Sequence, residues 1–472
     1  MTDGAHPHVV VVGGGITGLA AAFFLKDEPV RVTLLEGSPR LGGKLSASEV
    51  AGVPVDEGAE ALLARRPEGT DLITATGPAG DLVPAGTTSS AIYTRGAMRP
   101  LPRRQFMGVP ADMDELAATG VVSPAGVARA RQESQVPPQD GDVCVAEYVG
   151  ARLGKEVVDR LVDPLLGGVY AGRSEELSFE ATLAPLAAAA KKHPTLTAAV
   201  AGLIPPTPAQ PVTPAPIFVT LTTGLGALPD AVAKACAAGI RTGAMARDLA
   251  RTATGWRLVI GSAADPEHLQ ADAVILAVPA APAARLLSRT IPAASTALSQ
   301  IPYASMAIIT LAYRKEDFPE QQRSGYLVPA VDGRAVKAVT FSTVKWPHLT
   351  RHAPVHIVRC SIGRIGETAI LQRDDEDLAA LAAAELADAT GITKAPVAHR
   401  VTRWGGGLPQ YNVGHLDRVA RIRAAVTRQP GLAVAGAAYD GVGIPACVGT
   451  AKAAVEQVLS QLRTTGARDR SE

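Results

Sequence analysis

Four consecutive valines follow His8 (HVVVV), and an apolar run of that length ending at Gly13, Gly14 and Gly15 predicts a strand entering a glycine turn. The stretch LAAAFFL predicts a helix, and VRVTLLE, ending at Glu36, a second strand. Residues 53–61 (VPVDEGAEA) predict a strand entering a loop, and residues 87–102 a hairpin about Arg95-Gly96. From residue 112 to 201 the spacing becomes helical, with helix starts at Asp112, Ser123 and Asp142. Residues 205–216 (PPTPAQPVTPAP) predict an exposed, extended connector. Residues 218–236 return to strand, glycine turn and helix; residues 255–261 and 272–278 add two strands, and Pro279 ends the second. Residues 306–314, 325–329, 335–342 and 355–363 predict an antiparallel sheet, residues 374–389 a helix, and residues 432–459 a strand, glycine loop and helix.

The strand, glycine turn and helix pattern occurs at both ends of the chain, so two parts of one nucleotide fold enclose an inserted region. The expected fold class is α/β and α+β: a discontinuous Rossmann-like dinucleotide domain (1–64, 217–288 and 400–472), an antiparallel-sheet substrate domain (65–111 and 289–399) and a helical subdomain (112–204), with 205–216 as connector. A length of 472 residues exceeds a single core and agrees with that division.

Composition removes several function classes. A net charge of +1 supplies no basic field for nucleic acid. The longest apolar stretch, residues 182–204, is interrupted by Lys191, Lys192, His193 and Pro194, so an alanine-rich helix pair is expected and not a membrane span. No charged and apolar leader precedes the first strand, which predicts a cytoplasmic protein. Cys144, Cys236, Cys360 and Cys447 form no CxxC pair and read as buried reduced thiols. The nine histidines show no HxxxH or HExxH spacing, so no metal site is expected.

The glycines carry the first chemistry. Gly13 permits a tight turn off the strand, Gly15 leaves room for a pyrophosphate, and Gly18 lets the helix pack closely on the sheet. The helix N-terminus then offers unpaired amides and a positive dipole end. Glu36 can accept ribose hydroxyls and would repel a 2′-phosphate, which favours FAD or NAD over NADP. Arg40, Gly42, Gly43 and Lys44 follow as an R-x-G-G-K turn that can reach the same pyrophosphate, which favours FAD; an ordinary glycine turn into a hairpin is the competing reading. Near the C-terminus, Val442, Gly443 and Ile444 open a helix whose amides can meet the electron-rich edge of a flavin, unless the glycines simply cap that helix.

Four segments together resemble one family. They are GGGITGL with its acid and R-x-GGK; residues 163–178 (DPLLGGVYAGRSEELS); Lys345-Trp346-Pro347-His348; and Trp404 with LPQYNVGH (408–415) and GVGIPACV (441–448). The resemblance, over nearly the whole chain, is to the oxygen-dependent protoporphyrinogen and coproporphyrinogen III oxidases of the flavin-containing amine oxidase superfamily, in their bacterial coproporphyrinogen III form. It implies FAD as cofactor, held by Gly13, Gly14, Gly15, Ile16, Thr17, Gly18, Glu36, Gly37, Arg40, Gly42, Gly43, Lys44, the loop Gly58, Ala59, Glu60 and Ala61, Ala246 through its backbone, Trp404, Val442, Gly443 and Ile444. It implies a tetrapyrrole substrate, with the Gly168 carbonyl facing the reacting meso carbon and Leu165 against the macrocycle; a helix C-cap at Gly167-Gly168 is the plainer alternative. Residues 89–91 lack the arginine that mitochondrial members place before the hairpin strand, and Ser361 stands where bacterial relatives have tyrosine. The missing arginine favours coproporphyrinogen III, with Ser361, Lys345, Arg95, Arg359 and Arg364 as substrate contacts. Six electrons would leave in three two-electron steps, with oxygen reduced to hydrogen peroxide and no protein general base. Protoporphyrinogen IX oxidation, amine oxidation and a non-enzymatic FAD-fold binding protein are the alternatives. The resemblance leaves room for a peripheral membrane contact and a transient contact with ferrochelatase, and says nothing of the oligomeric state.

Overall fold

The computed structural model describes residues 6–77, 80–133, 141–205, 215–350 and 354–468. Most of the 205–216 connector therefore lies outside the described residues. A five-stranded parallel sheet runs in the order Gly239–Arg241, Arg31–Leu35, His8–Val12, Ala273–Leu276, Leu432–Val434. The valine strand lies in the middle, which is why all five of its residues are buried. Val9 and Val11 pack on one side with Leu19 and Val448, from the helices Ile16–Phe24 and Ile444–Arg468. Val10 and Val12 pack on the other with Leu286, Leu298 and Val419, and with Trp256 of an antiparallel three-stranded sheet. Strands from positions 8, 31, 239, 273 and 432 thus build one sheet, as expected of a discontinuous nucleotide fold.

The second sheet has seven strands, in the order Ala398–Pro409, Tyr303–Arg314, Val355–Ile362, Val336–Phe341, Gly325–Leu327, Ser90–Thr94, Ala97–Pro100. The last two form the hairpin turning at Arg95-Gly96, where Arg95 takes a left-handed φ of 51°. The sheet is not wholly antiparallel: Ser90–Thr94 joins Gly325–Leu327 in parallel. Ala398–Pro409 belongs to this sheet although the 400–472 segment was expected in the nucleotide part. The helix Asp375–Thr390 covers one face, with Leu378, Ala382 and Leu386 against Val339, Phe341 and Cys360.

The intervening helices share their own core around Val149, Leu161, Leu166 and Phe179. Asp112 and Ser123 cap helices as expected, each side chain accepting from amides of the first turn. Asp142 does not: Cys144 is the N-cap, and Asp142 accepts instead from the Ser178 hydroxyl and the Gly414 N–H. Cys144 is accordingly only half-buried, whereas the other three thiols are buried. A π-helical segment, Val158–Val162, leads into Asp163–Tyr170, where Pro164 has no amide hydrogen to continue the ladder. Gly167 and Gly168 lie inside that helix and do not cap it; Ala171, at φ 50°, takes the left-handed cap position.

No helix of the described residues is long and apolar enough to cross a membrane. Among them, no cluster of three or more His, Cys, Asp or Glu could hold a metal ion.

Candidate functional site

A cavity of about 1130 Å³ runs from the glycine turns to the seven-stranded sheet. Ordinary small-molecule pockets hold roughly 300–1,000 Å³, so this volume admits a dinucleotide together with part of a second reactant. Gly13, Gly15, Ile16, Thr17, Glu36, Gly37, Gly42, Gly43, Lys44, Gly58, Ala59, Glu60, Ala61, Ala246, Trp404, Val442, Gly443 and Ile444 all line it. Gly14, Gly18 and Arg40 do not.

The three motif glycines are glycine for different reasons. A Cβ on Gly18 would stand 1.8 Å from the Gly13 carbonyl oxygen, and one on Gly13, at φ 111°, would stand 2.4 Å from that of Ala277. Both are demands of the protein itself. A Cβ on Gly15, which lines the cavity, would meet no atom of the described residues within 4 Å. The helix behind it has Gly15 as N-cap, no side-chain cap and no acid in its first turn, so its amides stay open to an anion. This cradle fits the pyrophosphate of FAD.

The second turn is tied to the first by Gly42 N–H to Gly14 O, 2.8 Å. Arg40 is consumed in holding it, donating to the carbonyls of Leu41, Leu45 and Gly43 at 3.1, 3.4 and 2.8 Å. Its guanidinium shapes the turn and leaves charge at the cavity to Lys44, whose ammonium is held below its usual range by burial. Glu36 accepts from the amides of Gly14 and Ser38, each at 2.7 Å, which fixes its carboxylate at the cavity.

The loop Gly58–Ala61 lies between the Lys44 turn and the strands of the seven-stranded sheet that carry Arg359 and Trp404. A Cβ on Gly58 would fall 2.0 Å from the Lys44 carbonyl oxygen and 3.3 Å from the Trp404 ring, so glycine is required there by protein contacts. The Trp404 indole donates to the Glu57 carbonyl at 2.9 Å. Glu60 accepts from Lys345 at 2.9 Å and from Arg359 at 2.5 Å, and Arg359 also donates to the Gly58 carbonyl at 2.7 Å. Burial alone would raise the Glu60 carboxyl, but Lys345 and Arg359 hold it down at about 2. Asp56, on the strand below, is pushed up to about 6 by burial despite accepting from the amides of Leu225 and Gly226.

The expected substrate contacts divide. Gly168 and Ser361 line the cavity, as does Arg359, whose buried Nε has no partner among the described residues. Lys345 is withdrawn onto Glu60 and does not line it. Leu165 packs with the helical core. Arg95 sits at the hairpin turn, donating to Glu156 and to the carbonyls of Gly120 and Val121, so it braces two elements away from the cavity. Arg364 is buried on the carbonyls of Val328 and Arg334.

Gly436, Ala437, Ala438, Val442, Gly443 and Ile444 line the cavity from the C-terminal side, and the clasp that holds the backbone between them carries no glycine signal in the sequence. The Tyr411 hydroxyl donates to the Ala437 carbonyl at 2.6 Å and accepts from the Gly441 N–H at 2.7 Å. Its ring stacks on His415 at 3.9 Å, whose Nε2 lies 3.2 Å from the Tyr439 carbonyl. Burial lowers His415 to about 4, so it stays neutral near pH 7. Both residues stand in LPQYNVGH, four apart, a spacing that could have flagged them. Tyr303 and Met306, also lining the cavity, carry no sequence signal beyond a strand.

The flavin containing amine oxidoreductase family matches residues 16–459. A protein of Mycobacterium tuberculosis named coproporphyrinogen III oxidase is 37% identical over 466 residues, 97% of this chain and 98% of its own. A Bacillus subtilis protein of the same name is 32% identical over 475 residues, 98% of this chain and 100% of its own. Among solved structures, one from Exiguobacterium sp. 255-15, named for protoporphyrinogen oxidase, superposes with a TM-score of 0.84 at 30% identity, covering 96% of this chain and 98% of that one.

Proposed function

The chain belongs to the flavin containing amine oxidoreductase family, and on that premise we propose that it is an FAD-dependent oxidase converting coproporphyrinogen III to coproporphyrin III in haem biosynthesis, with oxygen as acceptor. The observation that carries the reading is the single cavity joining the glycine cradle to a wall of the seven-stranded sheet. One end suits a dinucleotide, and the remaining volume lies against Ala338, Thr340, Arg359, Ser361 and Gly168.

FAD, when bound, supplies an acceptor for two electrons and passes them to oxygen. Its pyrophosphate would be held by the amides opening the Ile16–Phe24 helix and by Lys44, its ribose by Glu36, and its ring system by the 58–61 and 442–444 loops. The protein's own part is to place a meso carbon of the substrate at the junction of those loops and to keep water from it. Each step removes a hydride equivalent from a meso carbon and a proton from a pyrrole nitrogen. Three steps release six electrons, and three oxygen molecules leave as hydrogen peroxide. Gly168 lines the cavity, and its carbonyl dipole would stabilise the positive charge left on the macrocycle. Glu60 is no base for the departing proton, because Lys345 and Arg359 hold it ionised and occupied. A cytoplasmic location and a transient handover of product to a ferrochelatase belong to the same reading and rest on family resemblance alone.

The same chemistry on protoporphyrinogen IX is the second reading, favoured by the Exiguobacterium structure. Mixing the yellow FAD-loaded protein with coproporphyrinogen III without oxygen tests the first directly. The flavin colour should bleach within one turnover and return on admission of air; an unbleached flavin excludes the proposed oxidation.

A further inference from the structure

Lys337 is 3% exposed on the strand Val336–Phe341, and the mechanism so far gives it no work. Strict alternation along AVKAVTF would place it beside Val339 and Phe341, against the helix-covered core. The pairing breaks that alternation. Val336 faces Ile362 and Ala338 faces Ser361, so two residues advance against one and Lys337 is the extra residue of a β-bulge. Val336 consequently joins Val339 and Phe341 in the core, while Lys337 turns to the side of Ala338, Thr340 and Ser361, which line the cavity.

There its Nζ donates to the Ser361 hydroxyl at 2.5 Å. Among the described residues it has no carboxylate partner. Glu367 is engaged by Arg173 at 2.8 Å and lies 3.6 Å from Arg364, and Glu385 of the covering helix accepts from the amides of Ala335 and Val336. The charges acting on Lys337 are Arg364, which opposes its ammonium, and Glu367, which favours it. A buried cation without a counter-charge is costly, and here the uncompensated side opens, through Ser361, onto a cavity.

We propose that Lys337, acting through the Ser361 hydroxyl, anchors a carboxylate of the substrate at this wall. The direction of the hydrogen bond supports it. Ser361 Oγ accepts from Nζ, so its own proton is free to be donated into the cavity, where the cation behind it strengthens the donor. An acceptor-only group, ionised and carried on a flexible arm, completes the chain, and the propionates of coproporphyrinogen III are such groups. Burial holds the free Lys337 at about 7; an arriving carboxylate draws a proton onto it and is held as an ion pair across one hydroxyl. Lys337 is thus a positioning residue, and the inference rests on the coproporphyrinogen reading.

The test is a fluorescence titration of FAD-loaded wild type, Lys337→Met and Ser361→Ala with coproporphyrin III and with its tetramethyl ester, which keeps the ring and removes the charges. Both variants should bind the tetra-acid about 10- to 100-fold more weakly, the range expected for a charge-assisted contact, and the ester like wild type. KM for coproporphyrinogen III should rise by a similar factor. Wild-type affinity for the acid should fall as pH rises above about 7, and that slope should vanish in Lys337→Met. Should the methionine variant fail to fold, Ser361→Ala removes only the hydroxyl and carries the same prediction. Unchanged affinity for the acid, equal losses of acid and ester, or a fall in kcat at unchanged affinity would each overturn the anchor. Wild type that neither binds nor oxidises the tetrapyrrole overturns the coproporphyrinogen reading and the anchor together.

Discussion

The two ends of the cavity are built by opposite means. At the nucleotide end the cradle is made of backbone amides left open by Gly15, with only the Glu36 and Lys44 side chains adding charge, and all of these lie within one stretch of local sequence. At the sheet end the working groups are buried side-chain charges, among them Glu60, Arg359 and Lys337, each positioned by partners hundreds of residues away or by an irregular register. Backbone recognition depends on local chain geometry, so a short spacing encodes it. Recognition by buried charge depends on tertiary pairing.

The largest effect should come from filling the cradle. Gly15→Val places a side chain in space that no protein atom occupies, so the protein should fold, by circular dichroism, yet purify without yellow colour. Gly18→Val should instead give insoluble protein, since its Cβ would collide with the Gly13 carbonyl. A folded, yellow Gly15→Val variant would dissolve the contrast between the two ends.

Next comes the charge cluster. Glu60→Ala strands Arg359 and Lys345, whose side chains are 8% and 17% exposed, and should cost about 3–5 kcal/mol of stability in urea unfolding. Tyr411→Phe removes the hydroxyl clasp on the 437–441 backbone and should cost about 1–3 kcal/mol, with weaker retention of FAD on dilution.

The pH dependence of stability sharpens the comparison at Lys337. Its folded value, about 7, lies below the usual 10.5, so between those values the unfolded chain holds a proton that the folded one lacks. Wild-type stability should therefore gain with pH across that window relative to Lys337→Met, and the difference in Tm between them should change with pH. A constant difference would mean the lysine titrates normally. Smallest of all, Arg95→Ala loses a partly exposed ion pair and the hydrogen bonds to the Gly120 and Val121 carbonyls, and should cost about 0.5–1.5 kcal/mol, with KM unaltered.

These contrasts explain what could be read from the chain alone. The valine run, the glycine spacings and the capping residues Asp112 and Ser123 act within a few residues, and the fold followed from them. Asp142 misled because a residue with capping chemistry was used two positions away, across Ser178 and Gly414. Arg40, Lys345 and Arg95 misled in a shared way: a basic side chain near a motif was read as facing a ligand, whereas each was satisfied by carbonyls or carboxylates of the protein. Lys337 left no signal, since in an alternating strand nothing local announces a bulge.

The central claim is tested most directly by initial rates, in air and above the spontaneous background, of porphyrin fluorescence from coproporphyrinogen III and protoporphyrinogen IX with the same FAD-loaded protein. A clear preference in kcat/KM for coproporphyrinogen III is expected. Preference for protoporphyrinogen IX, or no enzymatic rate with either, would contradict it.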